Sequence, residues 1–369
     1  MPNHRYRKIR ILHLIPTLQI GGAELDMVRK ALILSTYDDF EIFILPFQGL
    51  GPLNELINSK ARIKVIPPFK RGNSGMLATG LRLNKLVNKL CPNIIHLHMF
   101  RSELVGVLLN LSDDKPVIVY TIQHITADEP FWKRIFIRLT AKYKDKFIAS
   151  SQAVKQSLVE CAKLEEEKIE VIYNSVDFSK FDHLKYSPPD NDEPVIGTIT
   201  RLHPDKGVQY LIKAFSKVTE KFPQAQCWII GDGKEKVNLR ALAKRLGVEK
   251  QIKFWGWIKE PHHLLARMNL FVFPSVTEAL GIALIEALGI GVPAVASNVG
   301  GIPEILENKT DWLVPPRQAY LLADKILEIL FNYSQARKEA SLFIPLVREK
   351  FDVKRLAVKQ AELYRLLVG

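Results

Sequence analysis

Short runs rich in β-branched and aromatic residues recur along the chain, each followed by a longer stretch with helical apolar spacing. A first series comprises Ile9–Ile15, Glu41–Pro46, Ile63–Ile66, Ile94–His98, Val117–Ile122, Phe147–Ser150 and Glu170–Tyr173. A second comprises Val195–Thr198, Gln226–Ile230, Ile252–Phe254, Phe271–Phe273, Ala294–Ala296 and Trp312–Val314. Several runs are apolar at every position, as a strand covered on both faces must be. Parallel strands need a crossover, usually a helix, so the alternation predicts an α/β chain of doubly wound sheets.

The two series are separated by Phe178–Pro194, which holds Ser187, Pro188, Pro189, Asp190, Asn191 and Asp192. Proline and short polar residues cannot build a core element, so the stretch reads as a linker. The expected division is a Rossmann-like domain over 1–178, a linker over 179–194 and a second such domain over 195–351. Residues 352–369 have helical spacing with no strand after them and are expected to pack back on the first domain. The 369 residues suit two cores better than one.

Composition excludes several classes. At 47% apolar and 25% charged the chain is of ordinary globular type. It has no apolar run of membrane-spanning length and no signal-peptide apolar region behind its basic start. Cys91, Cys161 and Cys227 match no disulfide or metal spacing, so a reducing cytoplasm is expected. The net charge of +13 is uneven: residues 1–148 carry 22 Lys and Arg against 12 Asp and Glu. A basic first half suits either an anionic partner or a merely soluble surface.

Four loops at strand ends carry candidate chemistry. Gly21 and Gly22 follow the first strand and open a helix, whose free N–H groups and dipole suit a phosphate. Arg201 and Lys206, five apart around Pro204 and before Gly207, can converge on one diphosphate. Gly231-Asp232-Gly233 ends the next strand, where open sheets place their ligand crevice. Phe254-Trp255-Gly256 could meet a nucleobase or simply pack.

The segment from Phe273 to Glu304 is the most informative. It contains Glu278 in a loop, Gly281, Ile282 and Ala283 at a helix start, Leu284, and Glu286 within an otherwise apolar helix. A buried acid needs a partner, and ribose hydroxyls are good ones.

With these motifs in this order, the chain resembles a family 4 glycosyltransferase from Gly21 to its last helix. The resemblance implies the GT-B fold, two Rossmann-like doubly wound domains facing across a cleft. It implies that Gly22 meets the donor's phosphate and that Arg201 and Lys206 bind and stabilise the leaving diphosphate. It assigns Glu286 to the ribose hydroxyls, Glu278 to the transferred sugar, the backbone of Ile282 to Leu284 to sugar and phosphate, and the pair around Phe254 to the base. The family's T-x-H motif appears one residue late, as Thr121-Ile122-Gln123-His124. His124 is therefore the expected sugar-side residue, with Gln123 the alternative. His96 and His98 resemble the family's H-x-H strand and are expected to pack or line a crevice rather than bind metal.

The expected activity is retaining transfer of a hexosyl unit from a nucleotide sugar, a UDP-sugar before GDP-mannose, to a glycan or lipid-linked acceptor. No cofactor or metal is expected, nor nucleic acid as a partner. The resemblance places the enzyme in cell-envelope polysaccharide synthesis. A GT-B epimerase and a non-catalytic nucleotide-sugar-binding module are the rivals. A nicotinamide dehydrogenase is disfavoured because neither half has the glycine fingerprint.

A final expectation concerns Phe131 to Phe147. There Trp132, Ile135, Phe136, Leu139 and Tyr143 form one apolar helical stripe among Lys133, Arg134, Arg138, Lys142, Lys144 and Lys146. Either the stripe packs on the sheet, or it lies on an anionic membrane surface as an interfacial helix. The second is expected, placing the protein peripherally on the inner face of the membrane.

Overall fold

The computed structural model describes residues 8–58, 62–69, 76–109, 116–189, 192–307 and 309–369. It comprises two compact units, Met1–Ser175 with Val353–Gly369, and Val176–Asp352. Each is a parallel sheet wrapped by helices, the doubly wound architecture that the alternating pattern requires.

The first unit contains β1 (Ile9–Thr17), β2 (Phe40–Gly49), β3 (Ile63–Val65), β4 (Ile94–His98), β5 (Val117–Ile122), β6 (Lys146–Ala149) and β7 (Ile169–Val171). Their order across the sheet is β3-β2-β1-β4-β5-β6-β7. The second unit contains β8 (Val195–Ile199), β9 (Gln226–Ile230), β10 (Ile252–Gly256), β11 (Leu270–Phe273), β12 (Ala294–Ser297) and β13 (Leu313–Val314). Their order is β10-β9-β8-β11-β12-β13. The direction of winding reverses between β1 and β4 in one sheet and between β8 and β11 in the other. Loops leaving the carboxyl ends of those strands flank a crevice where open α/β sheets bind ligands.

The residues 179–194, expected as a linker, belong to the second unit, whose boundary falls after Ser175. Phe178 and Phe181 are buried and meet edge to face. Farther along, the Ser187 amide donates to the Ala266 carbonyl at 3.0 Å, and the Asn269 side chain donates to the Pro189 carbonyl at 3.0 Å. The two aromatic residues gain more from burial than a free linker could offer.

The last helix, Val353–Val368, belongs to the first unit. Leu356, Ala361, Leu363 and Tyr364 join the core formed by β1, β2 and the Gly22–Leu34 helix. Arg365 donates to Asp39 at 2.7 Å on its rim.

The basic stripe folds as a helix, Phe131–Thr140, followed by a short 3-10 turn, Ala141–Tyr143. Its inward residues are Ile137 and Thr140. Thr140 Oγ1 donates to Glu103 Oε1 at 2.9 Å, and Lys144 Nζ donates to the same oxygen at 2.6 Å. This buried pair sets the helix's rotation. The stripe residues Trp132, Ile135, Leu139 and Tyr143, with Phe131, are turned outward and lie between 38% and 68% exposed. Phe136 is half-buried, against Phe100. Packing on the sheet is therefore excluded for most of the stripe. Among the described residues no helix is long and apolar enough to cross a membrane.

Candidate active site

In the second unit the loops after β8 and β11 meet. Lys206 ends a 3-10 turn, Pro204–Lys206, and Gly207 follows with φ 65°. A Cβ on Gly207 would stand 1.8 Å from the Pro274 carbonyl oxygen, so only glycine allows the two loops to touch. The Val276 amide then donates to the Asp205 carbonyl at 2.7 Å. The contact brings Lys206 Nζ to 2.9 Å from Glu278 Oε2, with side chains 13% and 16% exposed. Glu278 is held in turn by Gly300, φ 52°, whose Cβ would fall 1.7 Å from the Glu278 carbonyl oxygen. Two residues expected to meet the same donor are thus an ion pair. Arg201 is exposed and forms no ion pair among the described residues.

Beyond Glu278 the Ile282–Ile290 helix begins at Gly281. The amides of Leu284 and Ile285 both donate to the Gly281 carbonyl, at 3.1 and 3.2 Å. Leu284, expected to offer its amide, therefore has it engaged. The N–H groups of Ile282 and Ala283 remain the outward donors at the positive end of the helix. Ile282, Ala283 and Glu286 are the residues of this helix that are not fully buried, and their spacing puts them on one face. Glu286 is thus neither solvated nor fully enclosed, and His262 Nε2 lies 3.6 Å from its Oε1. Ser275, to which no role was assigned, is buried in the same loop with its hydroxyl unpartnered.

Gly231 closes β9, its amide donating to the Gly256 carbonyl of β10 at 2.8 Å. Asp232 accepts from the Gly233 amide and from Lys236 Nζ, and Lys236 holds its carboxyl below the usual range. Phe254 turns toward the Lys236–Arg245 helix, with the Arg240 guanidinium 5.4 Å from its ring. Trp257, just past the strand end, is 57% exposed.

In the first unit Gly21 is the N-cap of the Gly22–Leu34 helix, in extended conformation. The Glu24 carboxylate folds over it, within 2.4 Å of where a Cβ would be. An acid at that position complements the helix dipole. His124 lies in the loop after β5, its Nε2 buried without a hydrogen-bond partner and 3.7 Å from Glu129 Oε1. Burial lowers its pKa, and the Glu129 carboxylate works against that shift. Gln123 accepts from the Asn174 side chain through Oε1 at 3.5 Å.

Residues 179–341 match the profile described as glycosyl transferases group 1, and residues 38–180 match that of glycosyltransferase family 4. The chain belongs to family 4 of the glycosyltransferases, with the GT-B fold. An uncharacterized glycosyltransferase of Methanocaldococcus jannaschii is 26% identical over 66% of this chain and 63% of its own length. The chain thus spans about six tenths of that relative. The UDP-Gal:alpha-D-GlcNAc-diphosphoundecaprenol alpha-1,3-galactosyltransferase of Escherichia coli is 24% identical, over 83% of this chain and 84% of that one. The crystal structure of Anabaena HepE in complex with UDP and glucose is similar with a TM-score of 0.83 at 25% identity, covering 96% of this chain and 99% of that one.

Within this family 4 chain the histidine strand has an unforeseen third member. His13 pairs in register with His96 across β1 and β4, and His98 points the same way two residues on. His13 Nδ1 and His98 Nε2 lie 2.9 Å apart. His96 Nδ1 reaches Tyr364 Oη at 2.5 Å, and its Nε2 reaches Thr121 Oγ1 at 2.6 Å. The three rings could offer nitrogens to a cation. Both nitrogens of His96 are already bonded, however, and the Lys30 charge lies close enough to depress His96 and His98 further. Burial, the largest cause, keeps all three neutral. A hydrogen-bonded packing role accounts for the cluster.

Proposed function

We propose that the chain transfers a hexosyl unit, with retention, from a UDP-sugar to a lipid-linked or glycan acceptor in cell-envelope polysaccharide synthesis. The observation that carries the reading is the convergence of Lys206, Glu278, the Ile282 and Ala283 amides and Glu286 beside one switch point of the second sheet. A nucleotide diphosphate meets the amides and Lys206, and Arg201 is free to join them. Positive charge fixed there before reaction stabilises the diphosphate as it leaves, without a metal. Glu278 then trades its ion pair for hydroxyls of the sugar, and Glu286 accepts from the ribose.

UDP is favoured because HepE was solved with UDP and glucose and the E. coli relative is named for UDP-Gal. A lipid-linked acceptor is favoured by that same name, by the basic first unit, and by the outward stripe of the Phe131–Thr140 helix. That stripe has the composition of an interfacial helix on anionic lipid. Calorimetric titration with UDP, GDP and ADP, followed by a donor-turnover assay, tests the reading. UDP binding with slow donor hydrolysis or transfer is expected. Tight binding without turnover would indicate a binding module, and recovery of an epimerised nucleotide sugar would indicate an epimerase.

A further inference from the structure

His262 is a polar side chain beside Glu286 that the donor-site reading leaves without a task. It opens the short helix His262–Leu265 and is 9% exposed. Its ring lies against Phe181, centroids 4.2 Å apart at 36°. Phe181 is fully buried, so this contact holds the imidazole in place. Its Nε2 is buried with no hydrogen-bond partner, and Glu286 Oε1 is 3.6 Å away. A buried polar atom without a partner is costly, and this one is aimed at a carboxylate. The separation exceeds a hydrogen bond by a few tenths of an ångström, which a small rotation of Glu286 closes.

A carboxylate has two oxygens and about four acceptor positions. A ribose cis-diol presents two O–H donors. If the carboxylate turns freely, it faces the diol for only part of the time, and ordering it opposes binding. A donor fixed on one oxygen removes that freedom and leaves the remaining lone pairs for the diol.

We propose that His262 is the positioning residue for Glu286: its Nε2–H donates to Oε1 and fixes the carboxylate to receive the ribose diol of a nucleoside diphosphate. The inference rests on Glu286 being the ribose-binding acid. It assigns His262 to ribose recognition and not to the reacting bond.

The test is the ratio of the dissociation constants of 2′-deoxy-UDP and UDP, measured by calorimetry. A ratio within one variant does not depend on how much of the sample is folded. Wild type is expected to favour UDP, and Glu286→Gln to lose most of that preference. His262→Phe is expected to weaken UDP binding about tenfold and to compress the ratio, with kcat at saturating donor little changed. His262→Gln, which restores a donor, is expected to recover part of both. Loss of the preference in Glu286→Gln but full retention in His262→Phe would overturn the proposal and leave the ribose role of Glu286 intact. Retention of the preference in Glu286→Gln would overturn that role, and the proposal with it. A fall in kcat alone in His262→Phe would also overturn it.

Discussion

Lys206 Nζ stands 2.9 Å from Glu278 Oε2, although 72 residues separate them in sequence. The pair is partly buried, and each charge has its opposite beside it, as a site shielded from water requires. On the proposed reading a nucleotide sugar would replace both partners, its diphosphate meeting Lys206 and its sugar hydroxyls meeting Glu278.

Lys206→Ala is expected to lower transfer at saturating donor by on the order of a hundredfold or more, as loss of one charge-stabilising group does. The pair is only partly buried, so the variant should stay folded by circular dichroism. Near wild-type turnover in a folded Lys206→Ala protein would remove Lys206 from the reaction.

Activity is expected to survive EDTA, because Lys206 and Arg201 supply the positive charge that a divalent ion supplies elsewhere. The measurement is initial rate with and without chelator. Loss of activity that manganese restores would refute this.

The protein is expected to sediment with phosphatidylglycerol-rich vesicles and not with phosphatidylcholine ones, increasingly so at low salt. Each basic residue near such a surface contributes about 1 kcal/mol. Replacing the outward-facing Trp132 and Leu139 together by alanine should cut recovery without changing donor affinity. Equal recovery with both lipids would remove the membrane from the proposal, and with it one support for a lipid-linked acceptor.

Stability is expected to fall on mild acidification through the histidine cluster. Burial lowers the pKa of His13 from 6.5 to about 3 and holds His96 and His98 well below their ordinary value. Between the folded and unfolded values the unfolded chain binds more protons, so stability rises with pH. The contribution is complete above about pH 6.5 and declines below it, by up to about 1.4 kcal/mol per pH unit for each histidine. For His13 the decline continues to about pH 3. Urea midpoints from about pH 7.5 down to about pH 5 measure the slope. His13→Asn should flatten it. An unchanged slope in that variant would show that His13 titrates normally in the folded protein.

What the sequence determined alone is local. Each apolar run became a strand because side-chain alternation and β-branched composition act within a few residues. Glycines at positions 207, 281 and 300 are local permissions of the same kind, since a positive φ costs that residue least. The spacing of Ile282, Ala283 and Glu286 fixed one helix face by the helical period. The tertiary structure decided which of those faces meets what. A stripe from Trp132 to Tyr143 reads the same whether it faces a sheet or a membrane. Glu103, 37 residues from Thr140, turned it outward. Tyr364, 268 residues from His96, made a packed cluster of what was legible only as alternating histidines. The segment 179–194 joined the second unit because Phe178 and Phe181 found a core there, and His262 reached Glu286 from a neighbouring helix. Period and propensity are properties of neighbours along the chain, whereas ion pairs and buried hydrogen bonds join residues that only the completed fold brings together.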